Sequence, residues 1–276
     1  MKKFLLAVFF VLIILKSASP AAANQLSVFF FDVGQADCEV LLNGNHTIII
    51  DTATEEMAPR IVSFLKSKNV LTIDLLILTH PHADHIGSAT EVLSSFSVSN
   101  IYMPKITTNT RIFERLVGAL KAQGKTAHAP VPGESLSIGE MNLEFLAPFK
   151  SDTENLNNDS IVCKLTFGSI KVLFMGDAEK PEEKDILDHG TDLRANVLKV
   201  AHHGSNSSTT DAFLKAVAPQ YAVIEVGLHN DYGHPSVKTV NRLEKTHRIK
   251  VFQTASNGII EMKTDGQTIQ FFVEKK

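Results

Sequence analysis

A dense group of metal-ligand side chains directly after an apolar segment constrains this chain most. Residues 75–78 read Leu-Leu-Ile-Leu, which is typical of a strand buried on both faces of a sheet. His80, His82, Asp84 and His85 follow at once. Open α/β sheets bind ligands at the carboxyl ends of their strands, and imidazole with carboxylate suits Zn, Fe or Mn. The pattern predicts an α/β fold with a metal site at a sheet edge. The alternative is a solvated turn in which Asp84 only caps the next helix.

Strand and helix patterns alternate along the rest of the chain, without a linker, tandem repeat or low-complexity tract. Strands are predicted over 28–32, 38–43, 47–50, 75–78, 101–103, 143–146, 161–167, 171–175, 197–201, 221–226, 250–253, 258–263 and 268–273. Helices are predicted around 61–65 and over 89–96, 110–123, 181–187, 210–217 and 237–246. Two β-rich halves with interspersed helices indicate two packed sheets covered by helices, in one domain.

The first 23 residues are typical of a secretory signal peptide. Lys2 and Lys3 precede an apolar run over 4–15, and small residues lead to Asn24. The run is shorter than the roughly 20 residues that span a bilayer. We therefore expect a signal peptide over 1–23 and a mature domain over 24–276 that is secreted or extracellular and has no stable membrane span. An uncleaved signal would instead hold the protein at the cell surface.

The charge balance argues against indiscriminate binding to nucleic acid or to anionic membranes. The formal net charge is −3, and residues 1–23 carry three lysines and no acid, so the remaining chain is more acidic still. Four basic residues lie within or just after the predicted helix 110–123: Arg111, Arg115, Lys121 and Lys125. They form either a local basic track or, as is more common for such spacing, a solvated helix face.

The chain has two cysteines, Cys38 and Cys163, both in predicted strands. Export permits a disulfide. Two cysteines do not form a disulfide framework, however, and free thiols commonly pack as small buried hydrophobes. We favour two buried free thiols over a bridge.

Further ligand candidates follow two later apolar segments. Asp177 comes after 171–175 and a glycine, and His202 and His203 come after 197–201. A lone aspartate at a strand end is usually a turn former. Neighbouring residues of an extended chain point in opposite directions, so we expect only one of the two histidines to face a given metal.

Taken together, these residues resemble the metallo-β-lactamase superfamily. The resemblance is carried by His80-x-His82-x-Asp84-His85, by Gly176-Asp177, by His203, and by Asp51 after an Ile-Ile-Ile run. More narrowly, the chain is similar to the hydrolase domain of the ComEC competence channel and its free-standing secreted relatives. That similarity lies in the segments FDVGQAD over 31–37, NDSIV over 158–162, KVAHHGS over 199–205 and YGHP over 232–235.

The resemblance implies an αβ/βα four-layer sandwich, in a single domain, with a metal site at one edge of both sheets. It implies Zn or Mn as the cofactor, in two ions. One ion would be held by His80 and His82, and the other by Asp84, His85 and His203, with Asp177 bridging the two. Of the two adjacent histidines, His203 is taken as the ligand because it precedes a glycine, as the family's ligand does. His202 is then expected to support the ligands.

One departure from the family pattern concerns the first ion. Many members give it a third histidine, but here only His128 lies between His85 and Asp177, in an unsuitable context. Asn158 and Asp159 occupy that place instead, as in the ComEC branch, and an oxygen ligand there would make the first site harder. Asp51, Asn158, Asp159 and His202 are therefore expected to support the ligands or to add one.

The expected function is that of an exported metal-dependent hydrolase. Such a site lowers the pKa of bound water to about 7 and stabilises charge on the reacting oxygens. Asp84 would orient the resulting hydroxide, and His234 would protonate the leaving group or bind a phosphoryl oxygen. A phosphodiesterase or nuclease is favoured, with a phosphoester substrate and DNA among the candidates. The alternatives are a phosphorylcholine esterase or other ester hydrolase and a non-catalytic metal-binding surface protein.

Overall fold

Two seven-stranded mixed sheets form the centre of the structure, which is a computed structural model describing residues 25–152 and 154–275. The predicted signal peptide over 1–23 lies outside the described residues, so it stays a prediction, as does the domain boundary at residue 24. Within the described ranges, none of the helices is both long and apolar enough to cross a membrane.

The described residues form fourteen strands and eight α-helices. The strands are β1 (Leu26–Phe30), β2 (Glu39–Asn43), β3 (His46–Ile50), β4 (Thr72–Ile77), β5 (Ser97–Tyr102), β6 (Ser135–Ile138), β7 (Met141–Ala147), β8 (Val162–Phe167), β9 (Ile170–Phe174), β10 (Val197–Lys199), β11 (Tyr221–Ile224), β12 (Lys250–Gln253), β13 (Ile260–Thr264) and β14 (Ile269–Val273). The helices are α1 (Ala58–Ser67), α2 (Ala83–Ile86), α3 (Ala89–Ser95), α4 (Arg111–Ala122), α5 (Lys180–Asp188), α6 (Asp211–Val217), α7 (Val237–Asn241) and α8 (Thr254–Asn257).

Both sheets pass from antiparallel to parallel pairing. The first sheet has the order β14-β13-β1-β2-β3-β4-β5, and the second has the order β12-β11-β10-β9-β8-β7-β6. Strands β3, β4 and β5 are mutually parallel in the first sheet, and β9 to β12 are parallel in the second. Parallel strands share one direction, so the loops that follow them gather at one edge of each sheet.

The hydrophobic core has three layers. Between the sheets, Phe30 stacks on Phe174 with ring centroids 6.3 Å apart, and Tyr102 stacks on Phe145 at 4.7 Å. Apolar residues of α1, α3 and α4 cover the outer face of the first sheet, and those of α5 and α6 cover the second. This arrangement confirms the predicted αβ/βα four-layer sandwich in a single domain.

The observed elements follow the predicted ones in order, but several differ in extent: β5, for example, begins at Ser97 rather than at residue 101. The short edge strand β6 and the single-turn helices α2 and α8 were not predicted. Strand β10 ends at Lys199 rather than at residue 201, because the chain enters a 3-10 turn over Ala201–Gly204. Cys38 and Cys163 are both buried and free, as expected.

The interface between the sheets predicts a large effect for one aromatic side chain. Phe174→Ala removes a ring that is 1% exposed, so we expect unfolding free energy to fall by about 3–5 kcal/mol, measured by urea denaturation. Phe272→Ala is the matched control, because this ring is 47% exposed at the sheet edge. It should cost well under about 1 kcal/mol. Equal losses in the two variants would contradict this description of the core.

Candidate active site

Four strand ends bring the predicted ligands to one edge of the sandwich. Asp51 follows β3 and residues 80–85 follow β4 in the first sheet, while Asp177 follows β9 and the pair 202–203 follows β10 in the second. All four strands run in the parallel part of their sheet. The two sheets therefore contribute ligands from opposite sides.

Asp84, His85 and His203 surround one oxygen of Asp177. The ligand atoms of these four residues lie within 4.8 Å of one another. Asp177 Oδ1 is 3.4 Å from His85 Nε2 and 3.9 Å from His203 Nε2, and Asp84 Oδ2 is 3.4 Å from His203 Nε2. We call this arrangement the Oδ1 group.

The atoms of the Oδ1 group fit a cation. His85 Nε2, His203 Nε2 and Asp177 Oδ1 are buried without a hydrogen-bond partner among the described residues. Leaving buried polar atoms unpaired is costly, and native structures rarely do so. A cation between two imidazole nitrogens and two carboxylates would satisfy all of these atoms at once.

His80, His82 and His202 lie on the other side of Asp177. Its Oδ2 atom is 3.8 Å from His80 Nε2 and 3.7 Å from His202 Nε2. His82 Nδ1 lies 2.9 Å from His80 Nε2. We call this arrangement the Oδ2 group. The two carboxylate oxygens of Asp177 thus face two different sets of histidines, the geometry that a bridging ligand requires. The bridging role itself stays a prediction.

The backbone at His202 and His203 is not extended, although these two residues were expected from the sequence to be extended. Both residues are left-handed, with φ of 49° and 50°. Their imidazoles therefore do not diverge, and the Nε2 atoms lie 3.7 Å and 3.9 Å from opposite oxygens of Asp177. Two consecutive left-handed residues that carry a Cβ are unfavourable and tend to mark functional sites.

Asn158 and Asp159 lie in the loop between β7 and β8, where they bond to Asp152 of the same loop and to Glu179 rather than to His80 or His82. The Asn158 amide donates to Asp152 and accepts from the backbone N–H of Glu179, and Asp159 accepts from the backbone N–H of Asp152. Burial raises the pKa of Asp159 to about 6.

The adjacent Ser160 contacts two of the candidate ligands: its Oγ accepts from the Asp177 N–H at 3.0 Å and lies 3.4 Å from His80 Nδ1. The structure thus brings Ser160 to the site, which the sequence did not predict.

A cleft of about 500 Å³ opens onto both groups. His234 lies on its wall, and its Nδ1 is 3.4 Å from the Gln35 amide nitrogen. The Gln35 oxygen accepts from the backbone N–H of Gly227, which fixes the amide so that its nitrogen donates to His234. Burial, together with His202 and His203, lowers the pKa of His234 to about 4. The ring is therefore neutral near pH 7, with its proton on Nε2.

The basic residues within and just after α4 do not line this cleft. Arg115 forms a two-pronged pair with Glu55 at 2.6 Å, and Lys125 Nζ donates to the Val98 carbonyl at 2.6 Å. Among the described residues that line the cleft, none is lysine or arginine. The structure therefore favours the solvated helix face over the basic track. His128 pairs through its backbone with Ile101 and Met103, next to Tyr102.

Comparison with known proteins decides the family. The model of the metallo-β-lactamase superfamily matches residues 31–227. The chain belongs to that superfamily. Its recognition from the sequence is confirmed, and so is its assignment as a metal-dependent hydrolase. The chain is 30% identical over 273 residues to ComE operon protein 3 of Bacillus subtilis, covering 92% of this chain and 35% of the relative.

A second curated relative and a solved structure are also similar to this superfamily member. Competence protein ComA of Neisseria gonorrhoeae is 29% identical over 240 residues, covering 86% of this chain and 32% of that protein. The chain thus spans about a third of the length of these curated relatives. The metallo-β-lactamase fold protein YhfI of Bacillus subtilis has a TM-score of 0.58 and 12% identity, over 86% of this chain and 99% of that structure. That likeness shows the fold.

Within this metallo-β-lactamase site, Asp51 positions His85. Asp51 Oδ2 lies 2.7 Å from His85 Nδ1, and the carboxylate also accepts from the Thr79 backbone N–H and hydroxyl at 2.7 Å and 2.6 Å. A carboxylate on Nδ1 fixes the tautomer and turns Nε2 towards the site. Burial lowers the pKa of His85, but the carboxylates of Asp177, Asp51 and Asp84 raise it well above its usual value. Thr79 is a second supporting residue that the sequence did not single out.

His203 depends on a buried charge cluster. Its Nδ1 donates to the Glu225 carbonyl at 3.0 Å and lies 3.2 Å from Asp37 Oδ1. Asp37 Oδ2 accepts from the ammonium of Lys199 at 2.5 Å, and Glu39 and the Glu225 carboxylate lie 3.8 Å and 3.7 Å from that ammonium. All four charged side chains are almost fully buried. The one available sequence signal was a lysine inside an apolar segment, at 197–201.

The protonation of this Lys199 cluster follows from its geometry. Burial lowers the pKa of Lys199, but the surrounding carboxylates of Asp37, Glu39 and Glu225 raise it above its usual value. Burial raises the pKa of Asp37, but Lys199 and His203 lower it below its usual value. Burial raises the pKa of Glu39 to about 8. The cluster therefore holds a salt bridge between Lys199 and Asp37 near neutral pH.

Removing the ammonium should strongly destabilise the fold. Lys199→Met leaves Asp37 buried without its counter-charge, so we expect unfolding free energy to fall by about 3–5 kcal/mol in urea denaturation. Lys184→Met is the matched control, because Lys184 pairs with Asp188 on the exposed face of α5. It should change stability by about 1 kcal/mol or less. A Lys199→Met protein as stable as the control would disprove the role assigned to this cluster.

Proposed function

We propose that this chain is an exported metal-dependent phosphodiesterase that cleaves nucleic-acid strands. One observation carries the proposal: two ligand groups share Asp177, and a cleft opens onto both of them. Two-metal sites are suited to in-line displacement at phosphorus, because they stabilise both the attacking and the leaving oxygen. The export rests on the expected signal peptide over 1–23.

The chemistry divides between the bound ions and the side chains of the chain. Two ions, Zn or Mn, would supply Lewis-acid activation of water and neutralise charge on the phosphoryl oxygens when bound. Asp84 is about one-third exposed and lines the cleft, so its carboxylate can accept a hydrogen bond from the attacking water and hold it in line. Asp51 and the Lys199 cluster keep His85 and His203 in fixed orientations.

His234 acts on the substrate as a hydrogen-bond donor. Because Gln35 donates to Nδ1, the neutral ring offers its Nε2 proton to the cleft. A pKa lowered to about 4 leaves little imidazolium to transfer a proton to a leaving group at neutral pH. Of the two roles expected for His234, binding a phosphoryl oxygen is therefore the better supported.

A smaller ester is the second candidate substrate. The cleft has no lysine or arginine among its described lining residues, and such residues usually neutralise a long phosphate backbone. A hydrolase of phosphorylcholine esters or other small phosphodiesters would not need them. Nucleic acid stays first because one relative is named competence protein ComA, and the resemblance noted from the sequence is to the hydrolase domain of a competence channel, which takes up DNA.

An activity panel separates these candidates. We expect the Mn- or Zn-loaded protein to cleave bis(p-nitrophenyl) phosphate and single-stranded DNA, and to leave a phosphorylcholine ester and a chromogenic β-lactam intact. Because no lysine or arginine is among the described residues that line the cleft, cleavage of both substrates should depend only weakly on salt between 50 and about 200 mM. Hydrolysis of the phosphorylcholine ester without cleavage of DNA would replace the first candidate by the second.

The role of His234 can be tested with a shape-conserving variant. His234→Asn should keep the metal content of the wild type and lower kcat by roughly 10²-fold or more. Because a phosphoryl contact does not depend on the leaving group, the loss should be similar for nitrophenyl and alkyl phosphodiesters. A loss confined to alkyl esters would instead assign proton transfer to His234, and loss of metal would make it a ligand.

A further inference from the structure

Many members of the family carry a third histidine ligand for the ion at His80 and His82, but between His85 and Asp177 this chain has only His128. His80, His82 and Asp177 offer three ligands, and His128 is held elsewhere by its backbone pairing beside Tyr102. We propose that His202 supplies the third imidazole, so that the adjacent His202 and His203 ligate two different ions. The inference rests on the metal-dependent function proposed above.

The distances to Asp177 support this assignment. His202 Nε2 lies 3.7 Å from Asp177 Oδ2, nearly the same as the 3.8 Å from His80 Nε2 to that oxygen. Ligand atoms bound at about 2.0–2.1 Å in a tetrahedral site lie roughly 3.4 Å apart. The distance from His202 Nε2 to Asp177 Oδ2 is therefore close to that between two ligands of one ion. His203 stands in the same way towards Oδ1, at 3.9 Å.

A carboxylate holds the His202 ring in this orientation. Glu179 Oε1 lies 3.0 Å from His202 Nδ1, and Glu179 itself accepts from the Ser207 hydroxyl at 2.8 Å and the Asn155 amide at 2.9 Å. Metal-bound histidines commonly donate their second ring nitrogen to a carboxylate in this way. Asp51 holds His85 by the same device in the Oδ1 group. Each group thus contains at least one histidine with a carboxylate partner.

The backbone conformation explains how neighbouring histidines serve two ions. An extended chain would send the two side chains to opposite faces. Here both residues are left-handed, and both imidazoles face Asp177. A His203 ligand alone would not require the left-handed conformation at His202 as well. The paired conformation is what a double ligation needs.

Zn²⁺ binding to the purified protein tests the assignment without relying on activity. Titration against a chromophoric chelator should give two tight ions per chain for the wild type. His202→Ala should keep one tight ion and bind the other more than about 100-fold more weakly, because a direct ligand is lost. His128→Ala is the matched control, and it should keep both ions. Glu179→Gln should weaken one ion by roughly 10- to 100-fold, the usual effect of losing a ligand's partner.

Two results would overturn the assignment. One is a His202→Ala protein that still binds two ions with affinities within about tenfold of the wild type, while circular dichroism shows it folded. The other is loss of an ion in His128→Ala. The Co²⁺-substituted proteins provide a second readout, since loss of one nitrogen ligand should change the visible absorption of one ion only. If the wild type binds two ions but cleaves no phosphodiester, the proposed function fails and the ligation by His202 stands.

Discussion

The buried ammonium of Lys199 is the interaction on which the site depends. It extends from β10 of the second sheet and meets Asp37 and Glu39 at the start of β2 in the first, with Glu225 beyond β11 completing the cluster. Asp37 in turn lies against His203. A charge buried this deeply is tolerated only beside a counter-charge, so the salt bridge from Lys199 to Asp37 fixes the two sheets together beneath the candidate metal ligands. The precision of the site therefore comes from electrostatics in the core as much as from the loops above it.

The sequence was sufficient for the architecture and for most of the residues that lie together at the candidate site. Apolar runs such as 75–78 and 171–175 are local patterns, and residues directly after them, including His80 and Asp177, have to emerge at a sheet end. The rule that parallel strands share a carboxyl edge then places these residues together. The short edge strand β6 escaped notice because Ser135–Ile138 carries only two apolar residues.

The features that sequence could not provide are those formed between distant segments or set by unusual backbone angles. Lys199 meets Asp37 across 162 positions of the chain, so its partner had no local signature. Ser160 and Thr79 both contact the candidate ligand His80 through bonds that only the folded loops define. The side chains of His202 and His203 were expected to point in opposite directions, because adjacent side chains do so in an extended backbone. Both residues are left-handed instead, so both side chains face Asp177.

Both ligand groups draw on both sheets. Residues 80–85 belong to the first sheet, whereas Asp177 and the histidine pair belong to the second. Bound ions would accordingly act as two cross-links across the sandwich, and their binding energy would add directly to the cost of separating the halves. The ion-free chain would open more often and meet proteases more readily. The lifetime of this protein would then increase with the concentration of divalent metal. Its abundance would accordingly rise and fall with metal availability.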